Sequence, residues 1–93
     1  MYRQQKNEFV TSTFRIFPNP AYDQVNVNYM IGEEQKAYLL IQNSLGQSLQ
    51  QNLLLGSKND LNLNIQMLAN GIYTVQMVLE NEIIQQEKLV ILR

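Results

Sequence analysis

Residues 17–32 read FPNPAYDQVNVNYMIG. From Val25 the stretch alternates: Val25, Val27, Tyr29 and Ile31 are apolar, with Gln24, Asn26, Asn28 and Met30 between them. A period of two sends successive side chains to opposite faces of a strand, one face toward a core and the other toward water. Helical spacing fits the run less well, and its Asn-rich outward positions suit a helix interior poorly. The same rhythm returns twice. Leu61, Leu63 and Ile65 alternate with Asn62, Asn64 and Gln66, and Tyr73, Val75, Met77 and Leu79 alternate with Thr74, Gln76, Val78 and Glu80. Residues 37–42 and 89–92 are more continuously apolar, the pattern of strands covered on both faces, although period alone also fits a short helix.

Four isolated glycines, Gly32, Gly46, Gly56 and Gly71, punctuate these runs, and the Asn70-Gly71 pair is expected to adopt positive φ. The resulting expectation is an all-β, mainly antiparallel, immunoglobulin-like β-sandwich. About seven strands are expected, near residues 13–17, 25–31, 37–42, 48–54, 61–65, 72–79 and 83–92, with Asn81 turning the last hairpin. Residues 1–8 are polar and aperiodic and read as a disordered linker, leaving one domain at residues 9–93.

The chain's two prolines, Pro18 and Pro20, flank Asn19 immediately before the first clear strand. Proline fixes φ and donates no hydrogen bond, and it pushes the residue before it into extended geometry. An edge or a crossing between sheets tolerates two lost donors, and a central strand does not. The knot therefore reads as a strand-ending corner, with Asn19 expected to bond its own backbone in an Asx-turn.

Composition removes several function classes. Net charge is -1, and the seven lysines and arginines are scattered, which argues against a nucleic-acid footprint. No apolar run approaches the length of a membrane helix, so the domain is not expected to insert as one. Residues 1–8 lack the apolar segment of a signal peptide. The absence of cysteine and histidine removes disulfides, thiolate metal sites and the commonest general base. Asp60, Asn62 and Asn64 match the opening of a calcium loop. The match fails at its sixth position, Ile65, and its twelfth, Gly71, and the outward face of a strand explains the spacing. Glu33, Glu34, Glu80 and Glu82 fall in expected turns, and no serine has a histidine partner. No catalytic residue, cofactor or metal site is expected. Tyr29 and Tyr73 belong on apolar faces with their hydroxyls at the rim, leaving Tyr22 and Tyr38 free to meet a ligand. Charged residues make up only 16% of the chain, so Asn and Gln supply the remaining polarity of a wet, weakly charged surface.

Three separated elements carry a family resemblance. The first is Phe17-Pro18-Asn19-Pro20-Ala21 with Asp23 and the strand Val25-Asn26-Val27. The second is Ile41-Gln42-Asn43-Ser44-Leu45-Gly46-Gln47. The third is Leu68-Ala69-Asn70-Gly71-Ile72-Tyr73-Thr74-Val75, followed by Lys88-Leu89-Val90-Ile91-Leu92-Arg93. In this order they resemble the C-terminal sorting domain, type A, of proteins exported by the bacterial type IX secretion system.

The resemblance implies a non-enzymatic, immunoglobulin-like domain at the C-terminal end of a secreted cargo. It implies recognition in the periplasm by outer-membrane translocation and shuttle proteins, then delivery of the cargo to the cell surface or medium. It also implies removal by a sortase-like peptidase, with attachment of the cargo to a surface lipopolysaccharide anchor. The residues it singles out are Pro18, Asn19, Pro20, Gly46, Gly71, Tyr73, Lys88, Leu89, Val90, Ile91, Leu92 and Arg93. Two departures from the family pattern are Gln47, where arginine is frequent, and a final strand without a second internal lysine. The terminal strand is expected to expose an edge that a partner could pair with. The alternative is a structural or adhesive accessory module, a stalk or a sugar-binding domain.

Overall fold

The computed structural model describes residues 12–32, 34–56 and 58–93. The linker expected at residues 1–8, and the expected start of the domain at residue 9, lie outside the described residues. Seven strands run in chain order: β1 (Thr13–Phe17), β2 (Gln24–Met30), β3 (Ala37–Gln42), β4 (Ser48–Leu54), β5 (Asp60–Asn64), β6 (Gly71–Leu79) and β7 (Glu82–Ile91). No helix occurs among the described residues. The strands form a three-stranded sheet, β1-β2-β5, and a four-stranded sheet, β4-β3-β6-β7, with every ladder antiparallel. This is the all-β sandwich expected from the sequence. Relative to a constant-type immunoglobulin domain, the fourth strand pairs with the third rather than with the fifth.

The alternation seen in the sequence is what builds the core. Val25, Val27 and Tyr29 of β2 point inward with Phe14 and Leu63. They meet Leu39 and Ile41 of β3, Val75 and Met77 of β6, and Leu89 and Ile91 of β7. Residues on the opposite face of β2, namely Gln24, Asn26, Asn28 and Met30, are exposed. On β6 the two-sided pattern fails, because Gln76 and Val78 are buried although they face away from the other sheet. Both sit mid-sheet. Gln76 is flanked by Leu40 and Gln86, and Val78 by Tyr38 and Ile83. The Gln76 amide is satisfied by donating to Gln86 Oε1 at 2.9 Å.

The two segments expected to be covered on both faces differ. β3 is central in its sheet, with its outer face half-buried. β7 is an edge strand, and its last turn of alternation is ordinary: Leu89 and Ile91 are fully buried while Leu92 is 62% exposed.

Turn chemistry follows the sequence in two places and departs from it in one. Glu80 and Asn81 both have positive φ and join β6 to β7 as a two-residue turn, the form whose twist matches a hairpin. The turn from β3 to β4 is organised by Asn43. Its Oδ1 accepts from Leu45 N and Gln47 N, and Gly46 completes it at φ 84°. Gly71 instead opens β6 in extended geometry, and neither it nor Asn70 has positive φ.

Two stability predictions follow from this packing. Leu39→Ala empties a fully buried position between the sheets and should cost about 2–5 kcal/mol, measured by urea unfolding. Gly46→Ala places its Cβ in open space, so its cost is purely conformational, about 1–2 kcal/mol in the same measurement.

Candidate functional site

Antiparallel register gathers the sequence-nominated residues at one end of the sandwich. β1 ends and β2 begins there, around Pro18, Asn19 and Pro20. Gln42 at the end of β3 pairs with Thr74 near the start of β6, which brings the Gly46 turn to the same end. Gly71 pairs with Ile91 and Tyr73 with Leu89, which adds the terminal strand. Gly46 itself is exposed on its turn and joins no bond network beyond it.

The knot crosses between sheets. After β1 leaves the three-stranded sheet, Ala21 forms a parallel bridge to Ile91 at the edge of the four-stranded sheet, and the chain then returns to β2. Both proline peptide bonds, Phe17-Pro18 and Asn19-Pro20, are cis. Asn19 does not form the expected Asx-turn. Its Nδ2 donates to Lys88 O at 2.7 Å, and its Oδ1 accepts from Val90 N at 2.9 Å. Ala21 continues the pattern with its main chain. Ala21 N donates to Val90 O at 2.7 Å, and Leu92 N donates to Ala21 O at 2.9 Å. The edge of the terminal strand, expected to be open, is therefore occupied from within the chain. Local sequence reasoning assigned Asn19 a local partner because an asparagine in a turn bonds its neighbours most often. Its true partners lie about seventy positions downstream in sequence.

The last residue is held just as firmly. Arg93 donates from Nη1 to Leu68 O at 2.7 Å and from Nη2 to Ile65 O at 2.8 Å, clasping the loop between β5 and β6. Asn70 completes the clasp: its Oδ1 accepts from Arg93 N, and its Nδ2 donates to Arg93 O. Tyr73, at the start of β6, donates its hydroxyl to Ala69 O at 2.6 Å, bracing the same loop in the manner of the tyrosine corner of immunoglobulin domains. Asp23 O accepts from Ile65 N and ties the loop to the segment after the knot.

Side chains around this network stay in water. Tyr22, Leu45, Met67, Ile72 and Leu92 are exposed apolar residues of the same end, alongside the exposed Lys88 and Arg93. Leu89 and Ile91 are core residues, and Val90 is half-buried. The arrangement offers directional main-chain bonding and a modest apolar surface. No group of three or more Asp or Glu among the described residues could hold a metal ion. Asp60, Asn62 and Asn64 lie exposed along the outer face of β5, with Asn62 donating to Asn26 Oδ1. A depression of about 410 Å³ lined by Thr13, Arg15, Met30 and Lys58 is built at the opposite end and contains none of the nominated residues.

Sequence reasoning missed Gln85. Its Oε1 accepts from Phe14 N and Thr13 Oγ1, and its Nε2 donates to Phe14 O and Glu87 Oε2. No local signal marks it, since it is one amide within a Gln-Gln pair on a polar strand.

Among curated proteins nothing matches this chain, and among solved structures nothing matches either. A family model, the secretion system C-terminal sorting domain, matches residues 15–92, far more than half of the chain, and spans every element that converges on this end. The match starts inside β1 and runs through all of β7, so the network of Asn19, Ala21, Asn70 and Arg93 lies within it or one residue beyond it. The chain belongs to the family of secretion system C-terminal sorting domains, the export signals of type IX secretion.

Proposed function

We propose that this domain is read at its knot-and-terminus end by the outer-membrane translocation and shuttle proteins of the type IX system. A cargo attached on its N-terminal side is carried from the periplasm to the cell surface or medium. A sortase-like peptidase then removes the domain and transfers the cargo to a surface anchor. The domain acts as an address and performs no catalysis of its own.

The observation that carries this reading is the convergence at one end. Three stretches scattered over more than seventy residues of sequence, around Asn19, Asn70 and the terminal strand, are joined there by hydrogen bonds of Asn19, Asn70 and Arg93. The clasp of Arg93 by Asn70, Leu68 O and Ile65 O holds the terminal strand in place before a partner arrives, which lowers the ordering cost of binding. Nothing in the comparisons favours a stalk or sugar-binding module.

The test is export of a fluorescent cargo fused to the domain in a bacterium with a working type IX system. The fusion should leave the cell, and deletion of residues 89–93 should hold it in the periplasm. That deletion also strips Leu89 and Ile91 from the core, so a second variant is needed to separate recognition from folding. Lys88→Glu alters only an exposed side chain and should change stability by no more than about 0.5 kcal/mol. Its export should fall several-fold. Undiminished export of the deletion fusion would refute the reading.

A further inference from the structure

The edge of β7 is completed by a segment that is itself a poor strand. A regular neighbour would bond alternate residues of β7 through its own main chain. Residues 18–21 achieve the same pattern with one borrowed group. The Asn19 side-chain amide stands in for a peptide unit, giving an N–H to Lys88 O and taking one from Val90 N. Ala21 then supplies a true peptide N–H and C=O to Val90 O and Leu92 N. Pro18 and Pro20 on either side of Asn19 have no N–H to contribute. The segment therefore satisfies the edge at Lys88, Val90 and Leu92 and stops there.

We propose that residues 18–21 are a displaceable latch over a strand-addition site. The edge of β7 from Lys88 to Leu92 takes up an extended segment of a partner protein, running parallel to β7, in the place held by Asn19 and Ala21. The parallel direction is set by the existing bridge of Ala21 to Ile91. An incoming strand replaces each bond of the latch with a main-chain bond of the same polarity, so no donor or acceptor of β7 is stranded by the exchange. The exchange leaves β7 seated, because Leu89 and Ile91 remain in the core and paired with β6. Pro18, Asn19 and Pro20 are exposed, and Ala21 is the one latch residue seated in the core, so release gives up the burial of a single methyl group. This inference rests on the sorting-signal reading and adds the binding mode.

Amide hydrogen exchange on the chain measures the latch directly. Val90 N–H and Leu92 N–H point to the latch, and the alternation of the ladder sends Leu89 N–H and Ile91 N–H to β6. Local opening should make Val90 and Leu92 exchange at least tenfold faster than Leu89 and Ile91. Asn19→Ala should accelerate Val90 further and leave Ile91 unchanged. Equal protection of all four amides would overturn the proposal, since the edge would then open only with the whole fold.

A covalent lock provides the matching test in export. The bridge of Ala21 to Ile91 sets Tyr22 opposite Leu92, and both are exposed. Tyr22→Cys with Leu92→Cys introduces the chain's only cysteines. The cargo fusion carrying this pair should be exported at least fivefold less with the disulfide formed than with it reduced. Equal export of locked and reduced forms would overturn the latch and leave the sorting signal standing, whereas failure of the unaltered domain to export its cargo would overturn both. If the reduced form also stays inside the cell, the exchange rates of Val90 and Leu92 decide the question.

Discussion

One side-chain amide, that of Asn19, together with the main chain of Ala21, closes the outer edge of the terminal strand. A sheet edge presents unpaired N–H and C=O groups, and proteins keep such edges from pairing with other chains by covering, bending or charging them. β7 ends the chain at the edge of the four-stranded sheet, with two of its last residues in the core and its outer main chain facing the gap between the sheets. Asn is suited to this gap because its amide carries the same donor and acceptor as a peptide unit. The flanking prolines suit it for the opposite reason. They withhold the donors that would let the covering segment grow into a strand or recruit another.

A second amide answers the first from across the seam. Gln85 projects from β7 and bonds both the N–H and the C=O of Phe14 in β1, as Asn19 projects from the β1 side and bonds β7. The β1–β7 side of the sandwich is thus stitched by two side chains reaching in opposite directions, where no continuous ladder joins the sheets. At Gln85, whose bonds to Phe14 are partly buried, a neutral amide fits better than a carboxylate or ammonium group, which would have to shed more hydration to lie there. The low charge and high Asn and Gln content therefore have a structural use beyond wetting the surface. The same economy appears in the Asn43 turn and in the pairs Asn26 with Asn62 and Gln76 with Gln86.

How far the sequence discloses this structure depends on the range of each interaction. The strands were legible because burial on one face imposes a period of two within a few residues, as in Val25, Val27 and Tyr29. The observed bounds differ from the expected ones by a residue at most. What local reading missed depends on distant neighbours. Gln76 looked outward and is buried because Leu40 and Gln86 stand beside it in the sheet. Asn19 looked like a turn residue and is a long-range bridge. Gly71 suggested a left-handed turn, but β6 begins at that position in extended geometry. The grouping of the nominated residues at one end was not readable from any single motif. It follows once strand order and register are known, because alternate connections of an antiparallel sandwich lie at the same end.

That end is also the one farthest from where β1 begins. Thr13 pairs with Met30 at the opposite end of the three-stranded sheet, roughly the length of one strand from Pro18, which at ~3.3 Å per residue over five to seven residues is about 16–23 Å. The start of β1 thus lies at the end of the sandwich opposite the Asn19–Arg93 surface. The knot-and-terminus end is held through groups whose partners are main chain: Asn19 to Lys88 and Val90, Arg93 to Ile65 and Leu68, Asn70 to Arg93, and Tyr73 to Ala69. Main-chain partners are present whatever side chains occupy those positions. The bonds that assemble this surface therefore make no demand on the exposed side chains beside them, such as Tyr22, Leu45 and Met67.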